Sequence, residues 1–137
     1  MVYRALFLYA YFMAYIYFNE NPLGKSTGDC TVRAISILIG KDWDDIYWDL
    51  CEVGYYMAEM PSTNSVWGEY LKENGYVREN LPDTCPICYT IEQFCKDHPM
   101  GKYAVATGTH VVAVVDGNAI DAWNSLMETA TYFWRRR

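Results

Sequence analysis

Histidine is the scarcest titratable side chain in this sequence. There are two, His98 and His110, so any imidazole chemistry has to be built on one of them. Proline, at five of 137 residues, and glycine, at nine, follow no period, which excludes a collagen-like fibre. No segment repeats internally. Basic residues are few, eleven Lys and Arg against seventeen Asp and Glu, and the formal net charge of −6 repels a phosphate backbone. Nucleic acid is therefore not an expected partner, and the terminal run Arg135-Arg136-Arg137 is expected to solubilise a final strand. The longest apolar run, Ala5 to Phe18, falls short of the ~20 residues of a membrane-spanning helix. It is crowded with tyrosine and lacks a small-x-small cleavage pattern, so no membrane partner and no signal peptide are expected. An even disulfide framework is missing too. Five irregularly spaced cysteines fit a reduced, cytosolic protein.

What is present is enough apolar material for one core. With 52% hydrophobic and 20% charged residues, the chain reads as a single domain over 1–137. Met13 offers a second start position, so residues 1–12 are expected to be a dispensable extension and Ala14–Phe18 a short edge strand. A loop with two glycines, Leu23 to Gly28, leads to a helix at Asp29 or Cys30 that runs to Ile39 and buries Ala34, Ile35, Leu38 and Ile39. Asp42 is placed to cap a second helix through Val53, stopped by Gly54, with Trp43, Ile46, Tyr47 and Leu50 on one face. A third, from Thr63 or Asn64 to Asn74, buries Val66, Trp67, Tyr70 and Leu71. After Pro82 come a short helix, Thr90–His98, and four β-like runs, 103–107, 110–115, 119–123 and 131–135. Helices first and an antiparallel sheet after them give an α+β class.

Three residues stand out for chemistry. Cys30 is at the first turn of its helix, where unpaired N–H groups and the macrodipole favour a thiolate. His110 opens a strand, where a rigid scaffold can present an imidazole base to a cleft. If Asp116-Gly117 is a tight turn, Val115 faces Asn118 and His110 faces Trp123, so Asp121 shares the face of His110 as its diagonal neighbour. Asp121 is the expected orienting group, and Asn124 the reserve candidate.

Cysteine on an early helix, followed by histidine and then aspartate or asparagine on later strands, resembles the papain-like cysteine peptidases in the broad sense. The stretches Asn21-Pro22-Leu23-Gly24-Lys25-Ser26-Thr27-Gly28-Asp29-Cys30-Thr31-Val32-Arg33-Ala34-Ile35-Ser36 and Gly108-Thr109-His110-Val111-Val112-Ala113-Val114-Val115-Asp116-Gly117 are similar to those of small phage and prophage proteins. The resemblance implies a papain-like fold with the helical half packed on the sheet. It also implies Cys30 as nucleophile, His110 as base and Asp121 as orienter. The family's oxyanion-hole glutamine falls on Gly24 here, which leaves Asn21 or the Cys30 N–H as the expected donor.

Gly24-Lys25-Ser26 imitates the end of a phosphate-binding loop, but the earlier glycine is missing and Pro22 has no N–H to donate, which argues against a nucleotide site. Cys85, Cys88, Cys95 and His98 are an alternative set of zinc ligands, although the spacing is atypical and Cys95 lies on the stripe the short helix buries. No cofactor is expected otherwise. Three functions follow: a cysteine hydrolase acting on a protein or peptide, an acyltransferase with the same residues, and an inactive relative, phage-encoded, that binds or inhibits a host protein.

Overall fold

The computed structural model describes residues 14–137. Its described residues form four helices and six strands. The helices are α1 (Cys30–Ile39), α2 (Trp43–Met57), α3 (Asn64–Glu73) and α4 (Ile91–Asp97). The strands are β1 (Tyr15–Tyr17), β2 (Tyr76–Asn80), β3 (Lys102–Ala106), β4 (Val111–Val115), β5 (Asn118–Asp121) and β6 (Tyr132–Arg136), in the sheet order β1-β5-β4-β3-β6-β2. The class is α+β, as expected. The expected extension at residues 1–12 lies outside the described residues.

Alternation along the two central strands explains why this sheet is covered on both faces. Ala104 and Ala106 of β3 and Val111 and Ala113 of β4 face a core shared with α1, α2 and α3. Their neighbours Val105, Val112 and Val114 face a second core under α4, with Phe94, Ala119 and Phe133. This is the period-2 rule for a strand buried on both sides. Three of the four positions turned toward α1 are alanine, so the helix approaches β4 closely and its Val32, Ala34, Ile35 and Leu38 become buried. That approach positions Cys30.

Three sequence expectations are corrected. The sheet is mixed, because β1 pairs parallel with β5, Tyr15 opposite Ala119 and Tyr17 opposite Asp121. An edge strand whose partner in the sheet follows all four helices has room for the long crossover that parallel pairing requires. Second, Gly54 does not end α2. The helix continues to Met57 and is closed by Ala58 in the left-handed region, φ 54°, with the Glu59 N–H donating to the Gly54 carbonyl. Gly54 is needed there because a Cβ would stand 2.8 Å from the Glu59 carbonyl oxygen. Third, β2 is a strand absent from the expectation. Tyr76-Val77-Arg78-Glu79-Asn80 carries alternating polar groups on an edge, and its pairing is supplied by β6 from the far end of the chain. Arg78 lies over the Tyr132 ring and Arg135 pairs with Glu79, so the terminal basic run begins inside the sheet.

Candidate active site

The loop before α1 is built around Asn21, whose carbonyl oxygen Oδ1 accepts from the N–H groups of Leu23 and Lys25 at 3.0 and 3.2 Å. Its Nδ2 donates to Asp29 Oδ2 at 3.1 Å. Asp29 occupies the N-cap position of α1, but its carboxylate does not cap the helix. It accepts instead from Arg33 Nε at 2.9 Å and from Trp43 Nε1 at 2.9 Å. The first backbone bond of the helix runs from the Arg33 N–H to the Asp29 carbonyl, so the N–H groups of Cys30, Thr31 and Val32 precede it. Cys30, itself half-buried, thus stands at the positive end of the helix.

His110 is held from the other side. A short connection closes between β3 and β4, where Thr107 N–H donates to the His110 carbonyl at 2.8 Å and Thr107 Oγ1 accepts from the His110 N–H at 3.0 Å. The β4–β5 hairpin turns at Asp116 (φ 48°) and Gly117 (φ 77°), the two left-handed residues of a type I′ turn. The register is the one this turn demands, with Val115 opposite Asn118 and Ala113 opposite Ile120. Three positions further on, the His110 ring packs against Trp123, centroids 4.8 Å apart. His110 Nε2 lies 2.6 Å from Asp121 Oδ2, which leaves Nδ1 as the ring nitrogen for the sulfur.

Asp121 is 2% exposed and fully used. Oδ1 accepts from Arg33 at 2.6 Å and from the Ala122 N–H at 2.7 Å, while Oδ2 accepts from Ser125 Oγ at 3.1 Å as well as facing His110. The result is a continuous, largely buried chain, Trp43 and Asn21 to Asp29, Arg33, Asp121 and His110, with the Cys30 sulfur beside the imidazole. Its electrostatics favour an ion pair at the sulfur. Burial pushes the Cys30 thiol up, but hydrogen bonds from His110 and the Val111 N–H, with the nearby charges of His110 and Arg33, hold it below its ordinary value. Burial disfavours the charged His110 ring, yet the hydrogen bonds with Asp121 and Cys30 lift it to about 9. Burial opposes ionisation of Asp121 as well, and His110 and Arg33 outweigh it and keep the carboxyl below its usual range.

Sequence reasoning did not single out Arg33, Asp29, Trp43, Ser125 or Glu20. A signal existed for the first two: Asp29 and Arg33 are four apart, flanking Cys30 on a helix otherwise rich in buried apolar residues. Glu20 has both carboxylate oxygens buried with no hydrogen-bond partner among the described residues. Its burial, with Asp121 and Asp29 close by and Arg33 only partly compensating, raises it to about 7.

Two nominated residues do not join the site as expected. Asn21 spends its amide on Asp29 and the loop, so it is not aimed at Cys30. Asn124 is exposed, accepts from the Leu126 N–H and lies beyond the end of β5, because the strand stops at Asp121 and the chain turns away. The alternative zinc set is likewise dispersed. Cys95 is buried in the core under α4, where desolvation pushes its thiol up to about 11. His98 stacks on Phe94 at 3.8 Å with Nδ1 2.9 Å from the Phe94 carbonyl oxygen. Only Cys85 and Cys88 adjoin, at 2.7 Å, and among the described residues no group of three His, Cys, Asp or Glu side chains is arranged to hold a metal ion. No described helix is long and apolar enough to cross a membrane.

A cleft of about 110 Å³ opens over the dyad, lined by Cys30, Thr31, Ser62, Asn64, Trp67, residues 107–111 and Tyr132. No family model, curated protein or solved structure matches this chain.

Proposed function

We propose that this protein is a cysteine hydrolase of papain-like design, with Cys30 as nucleophile, His110 as acid and base, and Asp121 as the orienting carboxylate. The observation that supports it is the continuous chain from Arg33 through Asp121 and His110 to a thiol at a helix N-terminus, opening on a cleft. In this reading the Cys30 thiolate attacks a carbonyl carbon of a protein or peptide amide. The carbon–sulfur bond forms as the carbonyl π electrons move to oxygen, and the N–H groups at the start of α1 receive that oxyanion. Collapse of the intermediate breaks the bond to the leaving amine, which takes the proton from the His110 imidazolium. Water, deprotonated by the neutral ring, then hydrolyses the thioester and restores the ion pair. An amine in place of water makes the same residues an acyltransferase.

A second reading has its own observation. No side-chain amide stands where the papain-like families place their oxyanion donor, since Gly24 has none and Asn21 is committed to Asp29. The outer face of α2 exposes Trp48 at 71%, Tyr55 at 81% and Tyr56 at 77%, an aromatic composition suited to a protein interface. An inactive member of the fold that binds or inhibits a host protein fits these two features. Alkylation discriminates. With iodoacetamide at mildly acidic pH, read peptide by peptide by mass spectrometry, Cys30 is expected to react first of the five cysteines, and His110→Ala is expected to slow it at least tenfold. Faster reaction at Cys85 or Cys88, with no effect of His110→Ala, favours the binding protein.

A further inference from the structure

A second cavity, of about 380 Å³, lies beside the Cys30 cleft between α1, α2 and the 21–28 loop. Its principal walls are Leu23, Val32, Trp43, Tyr47, Leu50 and Pro61, and it shares Thr31 and Ser62 with the cleft. At that volume it stands at the small end of the range that encloses a ligand. Asp29 borders it as well, but both its oxygens are occupied by Arg33, Asn21 and Trp43. Lys25 and Thr27 stand at its border too, and the rest of the surface it presents beside the nucleophile is mainly hydrocarbon and aromatic.

Which half of a substrate enters follows from the position of the acid. The leaving group has to lie against His110 to take its proton. Residues 107–111 line the cleft and none of them lines the second cavity. The acyl half consequently extends from Cys30 away from His110, past Thr31 and Ser62, and its first large group meets the apolar walls. We infer that this cavity is the acyl-side specificity pocket, selecting substrates whose acyl half carries an aliphatic chain or an apolar side chain next to the scissile carbonyl. The inference rests on the hydrolase reading above.

A series of 4-nitrophenyl esters, acetate, butyrate, hexanoate and octanoate, tests both separately. The Cys30 sulfur bonds to the acyl carbon, the carbon–oxygen bond breaks, nitrophenolate departs, and water then releases the carboxylic acid and the thiol. With the Cys30→Ala background subtracted, kcat/KM is expected to rise about fourfold for each methylene the cavity covers, and to level off once the cavity is full. Leu23→Asp and Tyr47→Asp, at positions 75% and 45% exposed, place a carboxylate at the cavity from two different elements. Either is expected to reduce the octanoate-to-acetate ratio at least tenfold. Cys30-dependent release that is equal across the series, or a ratio indifferent to both variants, overturns the pocket and leaves the hydrolase standing. If no release depends on Cys30 and its alkylation is indifferent to His110, the hydrolase reading falls and the pocket falls with it.

Discussion

His110 stands between two groups of negative charge, the Asp121 carboxylate at Nε2 and the Cys30 sulfur, and this arrangement sets its titration. Its folded value near 9 lies above the ordinary imidazole value of 6.5. The stability it contributes is therefore fully present below about 6.5 and is lost as pH rises through 9. Titration of the His110 ring by NMR is expected to give a midpoint near 9, moving down in Cys30→Ala. A midpoint at the ordinary value in the intact protein would show that neither contact is made in solution. If the protein is the hydrolase proposed above, its activity falls along the same alkaline limb, because only the imidazolium can give up a proton. Glu20 is the opposite kind of residue, a carboxyl whose buried oxygens find no partner among the described residues. Its folded value, about 7 against an ordinary 4.5, means that its proton favours the fold at acid pH and that this advantage disappears as pH rises through 7. Glu20→Gln is expected to be near neutral at pH 5 and stabilising at pH 8, on the order of 1–2 kcal/mol after allowing for partial solvation. Urea melts at the two pH values measure it, and an equal effect at both rules out the buried anion as the cause.

At the scale of elements, the β4–β5 hairpin was legible because its determinants are adjacent. Asp-Gly selects a type I′ turn, the turn fixes register, and period 2 then places Asp121 on the face of His110. The α1 boundary was legible for the same reason, since a glycine-containing loop, an apolar stripe and Gly40 all lie within one short stretch. The end of α2 was not, because Gly54 is a helix breaker by propensity and is kept here by the close return of Glu59. Ala58 takes the left-handed cap instead, at φ 54°, a conformation in which a Cβ is crowded. Ala58→Gly is expected to stabilise the protein by about 0.5–1 kcal/mol, the relief of that crowding exceeding the added freedom of the unfolded chain. A higher urea midpoint with unchanged slope is the signature. Destabilisation would mean that α2 has another stop. Strand β2 escaped detection because a short, charged edge strand has no apolar alternation of its own and is defined by its partner.

At the scale of the molecule, Arg33 joins the two halves, since one guanidinium bridges Asp29 on the helical side and Asp121 on the sheet. Removing it leaves the buried Asp29 carboxylate without its cation and Asp121 with His110 alone. Arg33→Met is expected to cost about 3–5 kcal/mol in urea unfolding and to move the His110 midpoint, whereas a variant that keeps both is evidence that the bridge is not formed in solution. What the sequence by itself determined is everything written in spacings of two to four residues. That covers the α+β class, the apolar stripes of α1, α3 and α4, the hairpin register, and hence which carboxylate shares a face with His110. Only the tertiary structure decided that Cys30 meets His110, that Arg33 stands behind Asp121, that β1 joins the sheet parallel, and that Asn21 and Asn124 serve their own loops. The reason is that local periodicity says which face of an element is apolar, but not which other face it will cover. Here that choice rests on the alanines of β3 and β4, whose small side chains let α1 settle on the sheet, bringing a thiol and an imidazole together from distant parts of the chain.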